Sequence, residues 1–192
     1  MRSARRRTGR PAQAGAHERA TTIHLRGIGH QVKTDYPASI AAYREAFDLW
    51  RTVSAESEDV ALALNALADA EQLSGDCAAA ERDYREALRV SRAVGDAEGV
   101  AIYTGNLAGL ALDREDWPGA ETLAREALAL SEDLGRQELI AEDCRRLAEA
   151  LLGQGKPAAE ALPHARRAVE IYTRLGSPDL EAARATLREC ES

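Results

Sequence analysis

The feature that most constrains this chain is an interval. Gly95, Gly135 and Gly176 close three similar segments and lie 40 and 41 residues apart, and Ala87, Ala127 and Ala168 keep the same steps. The segments are DCAAAERDYREALRVSRAVG from Asp76, DWPGAETLAREALALSEDLG from Asp116 and KPAAEALPHARRAVEIYTRLG from Lys156. An earlier copy, DYPASIAAYREAFDLWRTV from Asp35, places Ala46 a further 41 residues before Ala87. A fixed period of this length is the mark of a stacked repeat, in which each unit hides its apolar side only against the next.

Each period holds two helices. Leu64, Leu67 and Ala68, then Leu107, Ala108 and Ala111, then Leu147, Ala148 and Leu151 follow helical spacing and put apolar groups on one face. Short turns at Ser74-Gly75-Asp76, Arg114-Glu115-Asp116 and Gly153-Gln154-Gly155 follow. A second stripe comes next, Ala80, Tyr84, Ala87 and Leu88, echoed by Ala120, Ala124, Ala127 and Leu128. The closing glycines fall where a helix end needs a left-handed residue. Turns this short predict antiparallel neighbours. The alanines allow close backbone approach, while Leu67, Tyr84 and Leu107 fill the remaining space. Cys77 stands where Tyr36 and Trp117 stand in other copies, which predicts a packing role. After Ser177-Pro178-Asp179 a final helix runs to about Cys190. Leu180, Ala183, Leu187 and Cys190 are on one face and Glu181, Arg184, Arg188 and Glu189 on the other, the pattern of a polar-faced cap that ends an array.

These offsets resemble the tetratricopeptide repeat family, most closely over Asp59–Val94, with Leu64, Leu67, Ala68, Gly75, Asp76, Ala80, Tyr84 and Ala87 in the expected places. The period is similar to the long-helix variants of kinesin light chains and bacterial regulatory proteins. In the first copy Arg26 falls where a Leu is expected. The resemblance implies an all-α, right-handed superhelical solenoid. It would hold about four repeats, near 21–56, 57–96, 97–136 and 137–176, plus a capping helix over 178–190.

Composition agrees and narrows the function. The chain is rich in Ala, Leu, Glu and Arg with 4% aromatics, a mixture that favours helix over strand. Residues 1–20 carry six arginines against one glutamate and no apolar stripe, so they read as a flexible basic tail. The rest carries 19 basic against 31 acidic residues. Such a surface repels phosphate backbones and predicts that the body does not bind nucleic acid. It suits a partner with basic segments, and equally serves as a common solubility device. Three widely spaced cysteines, 77, 144 and 190, predict a reducing compartment, and no run of apolar residues is long enough to span a membrane. A cytoplasmic location follows as an expectation.

No catalytic constellation is apparent. His24 and His30 are six residues apart and point to different helix faces, so they cannot jointly hold a metal; His164 stands alone and reads as exposed. Gly27-Ile28-Gly29 lacks a third glycine and a preceding strand. The acidic run Glu56-Ser57-Glu58-Asp59 reads as a solvated inter-repeat loop. The chain is therefore expected to be no enzyme and to need no cofactor or metal.

The resemblance implies a concave surface lined by the first helix of each pair, which receives an extended peptide or a partner helix. In this register its lining is Asn65, Asp69 and Gln72, then Asn106 and Asp113, then Glu142, Arg145, Arg146 and Glu149. Asn is a poor residue for a helix interior, so Asn65 and Asn106 call for a reason, recognition or tolerated surface polarity. The family's clamp for a C-terminal carboxylate does not fit. Asn106 and Arg146 match it, but Asn65, Asp69 and Glu142 stand where Lys, Asn and Lys belong, and two acids would repel the ligand. Arg145 and Arg146 could pair with an acid on a partner or with Glu142 and Glu149. The readings are a scaffold or adaptor binding a protein or peptide, and, as the alternative, a regulatory sensor that binds a peptide or small ligand and modulates a transcription factor or kinase. Phe47 and Trp50 have no evident lid before them, which leaves open a homodimer through the N-terminal repeat.

Overall fold

The computed structural model describes residues 9–192, with residues 9–12 described by their backbone alone. The described residues form nine helices and no strand: α1 (Gly9–Val32), α2 (Tyr36–Val53), α3 (Glu58–Leu73), α4 (Cys77–Val94), α5 (Ala97–Asp113), α6 (Trp117–Leu134), α7 (Gln137–Gly153), α8 (Ala158–Leu175) and α9 (Leu180–Glu191). The chain divides into two compact units, one ending at Gly99 and one spanning Val100–Ser192.

Recurring caps fix where the helices begin and end. The carboxylates of Asp35, Asp76 and Asp116 accept from the backbone N–H groups of Ala38, Ala79 and Gly119, so α2, α4 and α6 each start beneath the same cap. Tyr36, Cys77 and Trp117 occupy the first position after it. Gly95 and Gly135 close α4 and α6 with φ of 76° and 67°, the left-handed conformation that a side chain would oppose. The turn between first and second helix also needs a left-handed residue. Gly75 and Gly155 supply it in two pairs, but Thr34 (φ 58°) and Glu115 (φ 57°) do so in the others.

In the first unit α1 packs on α2, α2 on α3 and α3 on α4. Small residues set the spacing. Gly27 of α1 lies against the ring of Tyr43, where a Cβ would come within 2.6 Å of Cε1, and its carbonyl accepts from the Ser39 hydroxyl at 3.0 Å. Arg26, the departure from the repeat pattern, faces solvent and pairs with Glu45 of α2 at 2.7 Å. The second unit packs α6 on α7, α7 on α8 and α8 on α9, with α9 also touching α7. Its core joins Ala124, Cys144, Leu147, Ala148, Leu151, Ala165, Ala168, Tyr172, Ala183 and Cys190, so the alanine stripes are buried as the repeat pattern requires.

Four expectations need correction. The tail foreseen over residues 1–20 is helical from Gly9 onward, and Ala20 is fully buried; the remaining residues, 1–8, lie outside the described residues. The extension of α1 is the lid that Trp50 was expected to lack. Trp50 is 3% exposed, with the His24 and His17 rings 5.4 and 6.2 Å from its own. The premise for a homodimer through Trp50 falls with it, and Phe47, half-buried, carries the Arg51 guanidinium over its ring. The acidic run at 56–59 is not all loop. The Ser57 hydroxyl caps α3, and Glu58 and Asp59 sit in its first turn, where the helix dipole favours negative charge. Finally, His164 is half-buried rather than exposed, and burial lowers its pKa.

Candidate functional site

The first helices carry the predicted polar residues, and in each unit those residues are held from behind. On α3, the half-buried Asn65, Asp69 and Gln72 share a stripe with Leu62 and Leu73, which are 45% and 54% exposed. The Asn65 amide donates to Asp69 Oδ2 at 3.2 Å. The hydroxyl of Tyr84, from α4, lies 2.6 Å from Asp69 Oδ1 and 2.9 Å from Gln72 Oε1, with one proton to give to either. Tyr43 of α2 donates in the same manner to Gln31 of α1 at 2.8 Å, one repeat earlier. The second-helix tyrosine therefore orients the polar end of the first helix in both pairs of this unit. The exposed leucines were not foreseen, because a helical pattern with apolar groups on two faces reads as core on both.

In the second unit the structure brings together Asn106, Glu142, Arg145, Arg146 and Glu149. Glu142 is the hub. It accepts from Arg145 at 2.6 and 3.1 Å and from the Tyr172 hydroxyl at 2.8 Å, and Arg146 lies 3.2 Å away. Arg145 also pairs with Glu149 at 2.6 Å, and Glu149 accepts from Thr186 of α9 at 2.8 Å. Burial pushes the Glu142 carboxyl up, but Arg146, Arg145 and Tyr172 outweigh it and hold it down at about 2. Burial and the Glu142 charge push the Tyr172 phenol well above its ordinary range. Asp143, on the buried side of α7, accepts from Ser131 at 2.7 Å, and burial raises its carboxyl to about 6.

Arg146 crosses from α7 to α5. Its Nη2 is 3.4 Å from Asn106 Oδ1, and its side chain lies over Gly105 and Gly109, where Cβ atoms would approach Nη1 at 2.8 Å and Nε at 3.3 Å. The Arg146 Nε is buried without a hydrogen-bond partner among the described residues. Of the two pairings the sequence allowed, the internal one is realised: Arg145 and Arg146 both engage carboxylates of their own helix. Gly105 and Gly109 were not singled out, although two glycines inside an otherwise Leu/Ala helix carry a propensity cost that asks for such a reason.

Asp113 is exposed at the end of α5. It lines a pocket of about 450 Å³ with Leu112, Trp117, Glu149, Leu152, Gly153 and Glu189. A larger cleft of about 950 Å³ lies in the first unit, where Phe47, Leu64 and Leu67 are flanked by Arg44, Arg51, Arg82, Arg85 and Arg89. Those arginines pair with Glu71, Asp48, Asp83, Glu81 and Glu86 respectively, so the cleft is apolar at its floor and charge-balanced at its rim. Behind it Glu71 is 3% exposed, and its Oε2 has no hydrogen-bond partner among the described residues. Burial first, then the charge of Asp83, raises its carboxyl to about 7 against the pull of Arg44.

Antiparallel helix pairs with alanine-lined contacts, a shared aspartate cap and glycine ends define a helical-repeat protein of the solenoid class. The family model described as tetratricopeptide repeat matches residues 18–93 and 59–133, and the chain belongs to that family. No curated protein sequence matches it. Among solved structures, it is similar to BtubC (BKLC) from P. vanneervenii at 20% identity and a TM-score of 0.75, covering 94% of this chain and 80% of that one. It is also similar to the putative kinesin light chain nearly identical TPR-like repeats of Podosopora anserina, at 16% identity and a TM-score of 0.71, covering 91% and 86%. A third is PlcR of Bacillus thuringiensis, solved in complex with the peptide PapR7 and DNA, at 13% identity and a TM-score of 0.61, covering 90% and 69%. At these identities the likeness is one of fold.

Proposed function

We propose that this chain is a protein- or peptide-binding scaffold whose binding surfaces are the polar face of α3 in one unit and those of α5 and α7 in the other. The observation that carries the reading is the arrangement behind those faces. Asn65, Asp69 and Gln72 are half-exposed yet oriented by Tyr84, and Glu142, Arg145 and Glu149 by Tyr172 and Thr186. Groups fixed before binding lose little freedom when a ligand arrives, which is where pre-organisation gains affinity. The mixture supplies amides for a peptide backbone and charges of both signs for its side chains. The exposed Leu62 and Leu73 add apolar contact.

The reading involves no catalytic step, no cofactor and no nucleic acid on the acidic body, and it places the chain in the cytoplasm. No helix among the described residues is long and apolar enough to cross a membrane. A regulatory sensor is the second reading. It is supported by the shared fold of PlcR, a protein solved with both a peptide and DNA; here the bound peptide or small ligand would alter a partner transcription factor or kinase.

The test is to select the tightest binder from a random-sequence peptide array on the full chain, then titrate it against Asn65→Ala and Asn106→Ala. The proposal expects affinity to fall by about tenfold or more for at least one variant. Unchanged affinity in both would remove these faces from the binding surface.

A further inference from the structure

We infer that the pocket beside Trp117 receives a positively charged side chain, arginine or lysine, of the bound peptide; this rests on the peptide-binding reading above and names one residue type its ligand must carry. The pocket is built by the second unit alone, from the ends of α5 and α7, the start of α6 and the last turn of α9. Its walls are apolar: Leu112, Leu152 and the Trp117 indole. Gly153 makes the indole's place possible, since a Cβ there would stand 2.4 Å from Trp117 Cδ2. The volume of about 450 Å³ admits a single long side chain together with its hydration.

Every charged residue lining the pocket is acidic: Asp113, Glu149 and Glu189. Glu189 is exposed and forms no ion pair among the described residues. Glu149 engages Arg145 and Thr186 through Oε1, which leaves Oε2 to accept another donor. The C-terminal ends of α5 and α7 add to the same sign, while the Asp116 carboxylate caps the opposing N-terminus of α6. α5 stops at Asp113 and α7 at Gly153, and the last turn of a helix presents carbonyl oxygens with partial negative charge. An aromatic face supplies a further attraction for a cation, through the ring quadrupole.

A bare metal ion does not suit this arrangement, because no group of three or more His, Cys, Asp or Glu side chains among the described residues could hold one. A guanidinium or ammonium on a flexible apolar stem does. The stem lies along Leu112, Leu152 and the indole, and the charged head reaches the carboxylates at the rim. The acidic balance of the chain beyond residue 20 favours the approach of such a ligand.

The experiment uses the peptides that the full chain retains from a random-sequence array. Each retained peptide is resynthesised with its basic residues changed one at a time to Gln, and both forms are titrated against wild type and against the double variant Asp113→Asn, Glu189→Gln. Both positions are exposed, so circular dichroism should be unchanged. The expected result is that one basic residue matters by about tenfold in wild type, and that the double variant binds the basic and Gln forms within about twofold of each other. Indifference of wild type to every basic residue, or full discrimination surviving in the double variant, overturns the pocket while leaving peptide binding intact. An array from which the chain retains nothing overturns the underlying reading as well.

Discussion

The hydroxyl of Tyr172 donates to Glu142 Oε2 at 2.8 Å, joining α8 to the polar face of α7. Replacing Tyr172 with Phe removes one donor from a carboxylate that keeps Arg145 and Arg146. The expected cost is about 1–2 kcal/mol of unfolding free energy, within the range for a hydrogen bond to a charged group. Because Tyr172 is one of the groups holding the Glu142 carboxyl down, its pKa should rise toward the ordinary range in the variant. Urea unfolding and an NMR titration of the Glu142 side chain measure the two effects. Tyr84→Phe should lose a similar amount of stability through Asp69 and Gln72, with the Glu142 titration unmoved.

Two glycines of α1 should respond in opposite directions to the same substitution. Gly29 is exposed with nothing within 4 Å of an added Cβ, so Gly29→Ala should stabilise by up to about 1 kcal/mol through helix propensity. Gly27 faces the buried Tyr43 ring, and its Cβ would overlap Cε1 and Cδ1 at 2.6 and 2.7 Å. Gly27→Ala should therefore destabilise by about 1–3 kcal/mol despite the same propensity gain. Thermal melts of the two variants decide it, and equal shifts would refute the close α1–α2 contact.

Stability should depend on pH through Glu71. Its folded carboxyl is raised to about 7 from an ordinary 4.5, so between those values the native state keeps a proton that the unfolded chain has released. Raising pH through that window costs the folded state, and the loss is complete above about pH 7. Glu142 has the reverse sign: its contribution is present above pH 4.5 and is lost as pH falls toward about 2. Glu71→Gln should thus remove the Glu71 share of the decline between pH 4.5 and 7, leaving the share that Asp143 adds below about pH 6, and should leave the acid limb as it is. Denaturant midpoints across pH for wild type and variant test this.

The helix pairs were legible because their determinants are local. The alanine stripes, the aspartates at 35, 76 and 116 and the closing glycines act within a few residues of themselves. The state of the predicted site residues was less legible, because their partners come from other helices. Nothing near Glu142 in sequence announces Tyr172, and nothing near Glu149 announces Thr186. The N-terminal segment misled for a different reason. Arg-, Ala- and Gly-rich sequence without an apolar stripe reads as a tail, yet α1 needs only the rings of His17 and His24 to cover Trp50, with Ala20, between them in sequence, buried. The pocket beside Trp117 depends on the ends of four helices meeting, which no spacing along the chain encodes.

The central claim is that the first helices, not the second, hold the partner. Photo-crosslinking settles it most directly: the tightest array-selected peptide is made with a benzophenone side chain, irradiated on the full chain, and the attachment sites are mapped by mass spectrometry. The account predicts adducts on α3, α5 and α7, near Leu62, Asn65, Leu73, Asn106 and Glu149. Adducts confined to the outer faces of α2, α4, α6 or α8 would contradict it.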